Sequence, residues 1–246
     1  MASSQTETET LGLDVPPGQA HYRAYVGPPG DYDLVAAMTF GLLTVMGLRQ
    51  HHRLLDIGCG SLRVGRLLIP YLNRRGYTGL EPNAWLIQDG IDREVGEDLI
   101  KIKQPEFVIS EDGSRLIAEG KHYEYLLAQS IFSHCGVDML DRWLSEASSL
   151  LVDSGALVAT YVDGPVDTDR SGWIYPECVA LSEATVSNTA HKYGLQFVPL
   201  DWHHPRQRWA LFAKPGFDAD WFRGRVLSWN DCFSRFDDRR QTIPSP

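Results

Sequence analysis

The sequence predicts an α/β protein with a doubly wound, mostly parallel seven-stranded sheet and an antiparallel last strand, a Rossmann-like arrangement. Two observations predict it. Apolar segments of strand length alternate with segments of helical periodicity from residue 33 onward. The last two strand segments, residues 195–201 and 208–213, are joined by a connection too short for a crossover, so they must form an antiparallel pair.

Seven segments have the length and apolar character of strands. They are residues 53–57, 77–80, 107–110, 123–128, 156–162, 195–201 and 208–213. The fifth is apolar throughout, as expected of a parallel strand buried on both faces.

Apolar residues recur at helical spacing between these strands. The predicted helices span residues 33–48, 64–72, 84–95, 137–151 and 177–193. Gly47 is expected to end the first helix, and Pro70 to kink or end the second.

The chain divides into three predicted regions. Residues 1–32 form an arm or lid, in which prolines and glycines alternate with tyrosines and favour turns over a core element. Its first ten residues are polar and acidic, so we expect disorder and no signal peptide. Residues 33–215 form the main domain. Residues 216–246 turn polar and aromatic, which predicts a surface appendage with a frayed end.

Composition limits the classes of partner. At 246 residues, with 43% hydrophobic and 22% charged residues, the chain can bury the core of one soluble domain. A net charge of −9 argues against a nucleic-acid partner and against an anionic membrane surface, and no apolar run is long enough to span a membrane. Four scattered cysteines without a CxxC pair argue against a zinc site and indicate a reducing, cytoplasmic location.

A glycine turn after the first strand carries the strongest functional signal. Asp56 ends that strand, Gly58 and Gly60 follow, and Glu81 ends the next strand 21 positions after Gly60. Glycines let the backbone approach a ligand closely, and an acid at this place accepts hydrogen bonds from ribose hydroxyls. A nucleoside-containing cofactor is therefore predicted. Arg63 stands where a dinucleotide-binding G-x-G-x-x-G motif needs its third glycine, which disfavours a dinucleotide.

The segment resembles motif I of the class I S-adenosylmethionine (SAM) dependent methyltransferases, and the resemblance extends over residues 33–215. It implies that the glycine turn holds the methionine part of the cofactor, and that Glu81 binds the ribose. An acid after the third strand, Asp112, would approach the adenine amine, unless it is a solvated loop acid. Arg63 would pair with the cofactor carboxylate, unless it is an exposed helix arginine. The residues that the resemblance assigns to the cofactor are Asp56, Gly58, Cys59, Gly60, Ser61, Arg63, Glu81, Asp112, Gln129 and Ser130.

The segment after the fourth strand, where ligands bind in such sheets, contains His134. An imidazole titrates near neutral pH and suits a general base, although His134 could instead cap the next helix or line the pocket. Loops and the arm supply candidate residues for substrate binding. The aromatic residues among them could instead pack in the core or in a lid. These candidates are Tyr22, Tyr25, Tyr161, Asp163, Trp173, Tyr175 and His203. Of the adjacent His203 and His204, only one can easily face a pocket, so no metal is expected.

The predicted function is SAM-dependent methylation of a hydroxyl or nitrogen, less readily a carbon, of a small molecule such as a secondary metabolite. S-adenosylhomocysteine (SAH) would be the product. Residues 128–131 stand in place of the Asn/Asp-Pro-Pro-Tyr/Phe motif of enzymes that methylate amino groups of nucleic acids and proteins. This difference weakens the case for a nucleic-acid substrate and leaves the acceptor atom undecided. Three alternatives stay open: a SAM-binding enzyme without methyl transfer, a catalytically silent partner of the same fold, and a dinucleotide-dependent oxidoreductase. The sequence leaves monomer and homodimer open.

Overall fold

The computed structural model of the chain describes residues 11–234. Its strands are β1 (Leu54–Ile57), β2 (Tyr77–Leu80), β3 (Glu106–Val108), β4 (Tyr123–Ala128), β5 (Leu151–Asp163), β6 (Ala180–Leu181), β7 (Gln196–Leu200) and β8 (Arg208–Ala213). Its α-helices are α1 (Tyr22–Tyr25), α2 (Tyr32–Val45), α3 (Gly65–Tyr71), α4 (Ala84–Gly90), α5 (Glu97–Lys103), α6 (Ser114–Ala118), α7 (Val137–Leu150), α8 (Glu183–Lys192) and α9 (Asp231–Ser234).

The strands form one sheet in the order β3-β2-β1-β4-β5-β8-β7, and β6 adds a short parallel pairing to the end of β5. All neighbours are parallel except β8, which is antiparallel to both β5 and β7. The predicted fold class is confirmed. β7 and β8 pair in antiparallel orientation because the connection between them is too short for a crossover.

The register of the central strands brings their carboxyl ends to one edge. Asp56 of β1 lies opposite Gly79 of β2 on one side and Leu127 of β4 on the other. The chain order reverses between β1 and β4, so the turns that leave these strands diverge and open a crevice. This edge is where the site lies.

Successive strand residues face opposite layers of the core. Leu54 and Tyr125 pack into the layer that contains α2 and α3, whereas Leu55 and Leu126 pack into the layer of α7 and α8. Since both faces of the sheet are covered, the central strands are almost wholly apolar. Within the described range, no helix is long and apolar enough to cross a membrane.

Helix boundaries differ from the predictions in places. The helix predicted over residues 177–193 begins only at Glu183, because Ala180–Leu181 pairs with β5 and the Ser182 side chain caps α8 by accepting from the Thr185 N–H at 3.2 Å. The helix predicted to end at residue 95 is α-helical to Gly90 and continues as a π-helical turn. α5 and α6, both short, were not predicted.

Both flanking regions pack more closely than their composition indicates. In the arm, Tyr22 is 2% exposed and Tyr32 is fully buried, with its hydroxyl donating to the Ser61 carbonyl at 3.0 Å. Beyond β8, Phe217 and Phe222 are buried in the core, so this part of the predicted surface appendage packs against the main domain. The predicted disorder of residues 1–10 and the frayed end beyond residue 234 lie outside the described residues.

Candidate active site

A cavity of about 460 Å³ opens at the carboxyl edge of the sheet. Its floor is formed by the turns after β1, β2 and β4, and its cover by Pro17, Gly18 and residues 25–28 of the arm. Its size is within the range of sites for small organic ligands, and its position is that of ligand sites in doubly wound sheets.

Glu81 is fixed to the glycine turn. Its Oε2 accepts from the Gly60 N–H at 3.1 Å, and its Oε1 accepts from the backbone and side-chain nitrogens of Asn83 at 3.0 and 2.7 Å. The Gly58 and Cys59 N–H groups both donate to the Leu80 carbonyl, so the turns after β1 and β2 form one unit. Glu81 is 6% exposed and lines the cavity, which makes it a preorganised hydrogen-bond acceptor.

The two glycines of the turn keep space that side chains would fill. Gly58 and Gly60 have φ values of +67° and +52°, which favour glycine. A Cβ on Gly58 would lie 2.1 Å from the Ile131 Cδ1, and one on Gly60 would lie 2.6 Å from the Val26 Cγ1. The turn therefore packs directly under the arm on one side and against the β4 loop on the other.

Asp56 lies beneath this turn. It is buried, lines the cavity and accepts from the Tyr77 hydroxyl at 2.8 Å. Burial raises the pKa of Asp56 to about 7, because the charged carboxylate is poorly solvated. The site thus holds a carboxyl that a nearby cation would readily ionise.

Arg63 is not the exposed helix arginine of the alternative interpretation. It is 8% exposed, its Nη1 donates to the Val26 carbonyl at 2.9 Å, and its Nη2 donates to the Gln129 Oε1. Burial lowers the pKa of Arg63 to about 10. Both hydrogen-bond partners are neutral, so a buried positive charge faces the cavity and suits an anionic ligand group.

The loop after β3 supplies the far end of the cavity. Ser110 and Glu111 line it, whereas Asp112 does not, since its Oδ1 accepts from the Ser114 N–H and hydroxyl at 3.1 and 2.6 Å. Trp143 of α7 lines the same cavity. Its buried Nε1 has no hydrogen-bond partner among the described residues.

The loop after β4 carries a polar chain. Gln129 Nε2 donates to the Ser130 hydroxyl at 2.6 Å, and Gln207 Nε2 donates to the same oxygen at 3.0 Å. Ser130 has φ +61°, and its N–H donates to the Thr160 hydroxyl at 2.8 Å. Gln129, Ser130 and Gln207 all line the cavity, and this network fixes their positions.

His134 lines the cavity beside two aromatic rings. Its Nδ1 is 2.7 Å from the Glu177 carbonyl, which requires a hydrogen on Nδ1 and leaves Nε2 as the basic nitrogen. Its ring lies 5.5 Å from that of Trp173 and 5.0 Å from that of Tyr175, and these two rings stack at 6.0 Å. Burial lowers the pKa of His134, so the ring is neutral near pH 7.

Most of the predicted site residues meet in this cavity. Those that line it are Asp56, Gly58, Cys59, Gly60, Arg63, Glu81, Gln129, Ser130, His134, Tyr25, Trp173 and Tyr175. The others have separate contacts.

Tyr22 donates to the Glu94 carboxylate at 3.0 Å, Tyr161 is wholly buried in the core, and Asp163 pairs with Arg208 at 2.8 Å. Ser61 is held by Tyr32, outside the cavity lining. These residues therefore lie outside the lining of the cavity, as does Asp112.

Several lining residues were not predicted from the sequence, among them Trp143, Arg206 and Gln207. His204, and not the predicted His203, faces the cavity, because its Nδ1 accepts from the N–H groups of Arg206 and Gln207 at 3.2 and 3.0 Å. The rule that only one of two adjacent histidines can easily face a pocket does not say which of the two it is. Among the described residues, no three metal-ligating side chains cluster.

No family model matches the sequence. The structure is similar to magnesium protoporphyrin IX methyltransferase (ChlM) from Synechocystis PCC 6803 with bound SAH, at TM-score 0.59 and 13% identity over 81% of this chain and 90% of that one. It is also similar to the CcbJ methyltransferase from Streptomyces caelestis, at TM-score 0.55 and 15% identity over 82% and 94%. The mitomycin 7-O-methyltransferase MmcR matches at TM-score 0.56 and 15% identity over 78% and 56%. The chain has the class I methyltransferase fold.

Proposed function

We propose that this protein is a SAM-dependent methyltransferase that acts on a small molecule. The observation that carries the proposal is Glu81, whose carboxylate is held by the Gly60 N–H inside the cavity at the switch point of the sheet. A carboxylate fixed next to a glycine turn is suited to the hydroxyls of a ribose.

The residues of the cavity fit the remaining parts of this cofactor. Asp56 offers a carboxyl to an ammonium group, and Arg63 offers a buried guanidinium to a carboxylate. Trp143 Nε1, buried without a partner among the described residues, is a donor for a base nitrogen. When bound, SAM supplies a methyl group made electrophilic by a sulfonium.

His134 is our candidate for the general base. With its hydrogen held on Nδ1 by the Glu177 carbonyl, its Nε2 can take a proton from an acceptor hydroxyl or amine. Trp173 and Tyr175 form an aromatic wall beside it, and the Tyr175 hydroxyl donates to the Tyr25 carbonyl of the arm. The wall would hold the acceptor while the arm excludes water.

A small-molecule acceptor is favoured over a macromolecule. The cavity is covered by the arm, and a net charge of −9 does not suit a nucleic-acid phosphate backbone. The cytoplasmic location stays a prediction from cysteine usage.

Calorimetric titration with SAH, with NAD as the control ligand, tests the proposal. We expect binding of SAH alone, and at least tenfold weaker binding by Glu81→Ala, while the exposed Glu119→Ala variant should bind normally. A folded protein that binds NAD, or neither ligand, would overturn the proposal. Release of SAH from SAM on addition of acceptor candidates then separates a methyltransferase from a SAM-binding protein with other chemistry.

A further inference from the structure

We infer that the methyl acceptor is a neutral hydroxyl on a flat ring, a phenol in its simplest form, and that Ser130 and Gln207 recognise it. The inference rests on the proposed function and deepens it, since that function leaves oxygen and nitrogen acceptors open.

The acidic residues of the lining all lie at one end of the cavity. Its carboxylates, those of Asp56, Glu81 and Glu111, all come from the turns after β1, β2 and β3. Among the described residues, the loops after β4, β5 and β7 contribute no acid to the lining. They contribute the Arg206 guanidinium instead, which Asp31 of the arm holds at 2.6 Å. An ammonium acceptor at this end would find no carboxylate in the lining and would meet the guanidinium, which has the same charge.

Ser130 presents a free hydrogen-bond donor. A hydroxyl has two acceptor lone pairs and one hydrogen. Two amide groups, from Gln129 and Gln207, already donate to this oxygen, and no described residue accepts its hydrogen. The Ser130 hydrogen is therefore left for a ligand atom that has a lone pair.

Gln207 presents a free acceptor next to this donor. Its Nε2 is occupied by Ser130, but its Oε1 is buried without a partner among the described residues. A ligand hydrogen that reaches this oxygen would satisfy it. A hydroxyl both accepts and donates, so it complements the pair. An ammonium has no lone pair for Ser130, and an ether has no hydrogen for Gln207.

The shape of this end favours a planar ring. Trp173 and Tyr175 stack with an interplanar angle of 17°, and the edge of His134 closes the side. Aromatic rings prefer offset stacking or edge contacts, both of which this wall offers to a flat ligand.

Absorbance titration with 4-nitrophenol tests the inference, because its ionised form absorbs visible light. The protein is first saturated with SAH at pH 7. We expect saturable binding of the neutral form, measured as a decrease in the absorbance of the ionised form. The methyl ether 4-nitroanisole should bind at least about fivefold more weakly for lack of a hydrogen. The cation 4-nitrobenzylamine should bind at least about tenfold more weakly.

Two variants assign the effect to residues. Gln207→Met, nearly isosteric, should lose most of the preference for the phenol over the ether. Arg206→Gln should reduce the preference for the phenol over the amine. The controls are Gln196→Met, at the end of β7 away from this loop, and Arg53→Gln, at the amino end of β1.

Tighter binding of the amine, no binding of 4-nitrophenol, or an unchanged preference in Gln207→Met would overturn the inference. SAH affinity measured on the same samples separates the two failures. Normal SAH binding without phenol recognition contradicts this inference alone, whereas loss of SAH binding in the wild-type protein contradicts the proposed function.

Discussion

The Glu81 carboxylate and the Gly60 N–H are joined by a hydrogen bond of 3.1 Å, although 21 residues separate them in the chain. The parallel pairing of β1 with β2 makes this contact, since it places the ends of both strands side by side. One carboxylate therefore shapes the glycine turn and faces the cavity at the same time.

Replacement of Glu81 by alanine should weaken SAH binding by about 1–3 kcal/mol, because hydrogen bonds to a charged group are lost. Glu81→Gln should keep part of the affinity, since its amide oxygen can still accept from Gly60. Calorimetry measures both, with Glu119→Ala as the control. Equal affinity in all three variants would contradict the placement of the ribose.

Asp56 should release a proton when the cofactor binds. Its pKa is raised to about 7 by burial, so about half of the carboxyls are protonated at pH 7. A ligand ammonium close to Asp56 would lower that pKa and expel the proton. Calorimetry in two buffers of different ionisation enthalpy should show release of up to about 0.5 proton per SAH at pH 7. Release should vanish in Asp56→Asn and persist in the exposed Asp98→Asn.

His134 should titrate below the usual histidine range. Burial lowers its pKa, and the Glu177 carbonyl requires the Nδ1–H tautomer. Nitrogen-15 NMR should find that tautomer and a midpoint below pH 6.5. As pH falls through that midpoint the base becomes protonated, so methyl transfer should decline on the acidic side.

The rate of methyl transfer should depend on His134. His134→Gln should lower the transfer rate by about 10²–10⁴-fold while SAH affinity changes little. The control His191→Gln, at an exposed position, should leave the transfer rate unchanged. A rate that stays the same across pH would refute the base assignment.

Glu94 should anchor the arm. Its largely buried carboxylate accepts from Tyr22, Arg23 and Arg66, and the Arg23 side chain is itself only 9% exposed. Glu94→Gln leaves the buried Arg23 with only the exposed Asp33 carboxylate, 3.6 Å away, and should destabilise the protein by up to about 3–5 kcal/mol. Thermal melting and proteolysis within residues 11–28 measure this. Glu97→Gln, which breaks an exposed pair with Lys101, should change stability by at most about 1 kcal/mol.

The sheet and its glycine turn could be predicted because their signals are local. Buried strands read as apolar runs, and Gly58 and Gly60 mark a turn that only glycine forms easily. The relation between Glu81 and the turn follows from the parallel register. These features depend on a few neighbouring residues, and so sequence patterns carry them.

The rest of the site depends on contacts between distant segments. Tyr22 points to Glu94, 72 residues away, so no local pattern could exclude it from the cavity. Trp143 reads as one more apolar residue on the buried face of α7, although it also lines the cavity. The choice of His204 over His203 depends on a loop whose backbone donates to the His204 ring.

The short helix α1 touches both walls of the cavity at once. The Tyr25 ring lies 5.3 Å from that of Trp85 on α4 and 5.1 Å from that of Tyr175 in the loop after β5. One cover thus closes over both halves, and a movement that frees one half loosens the other. A displacement of α1 that removed the contact of Tyr25 with Trp85 would therefore also disturb its contact with Tyr175.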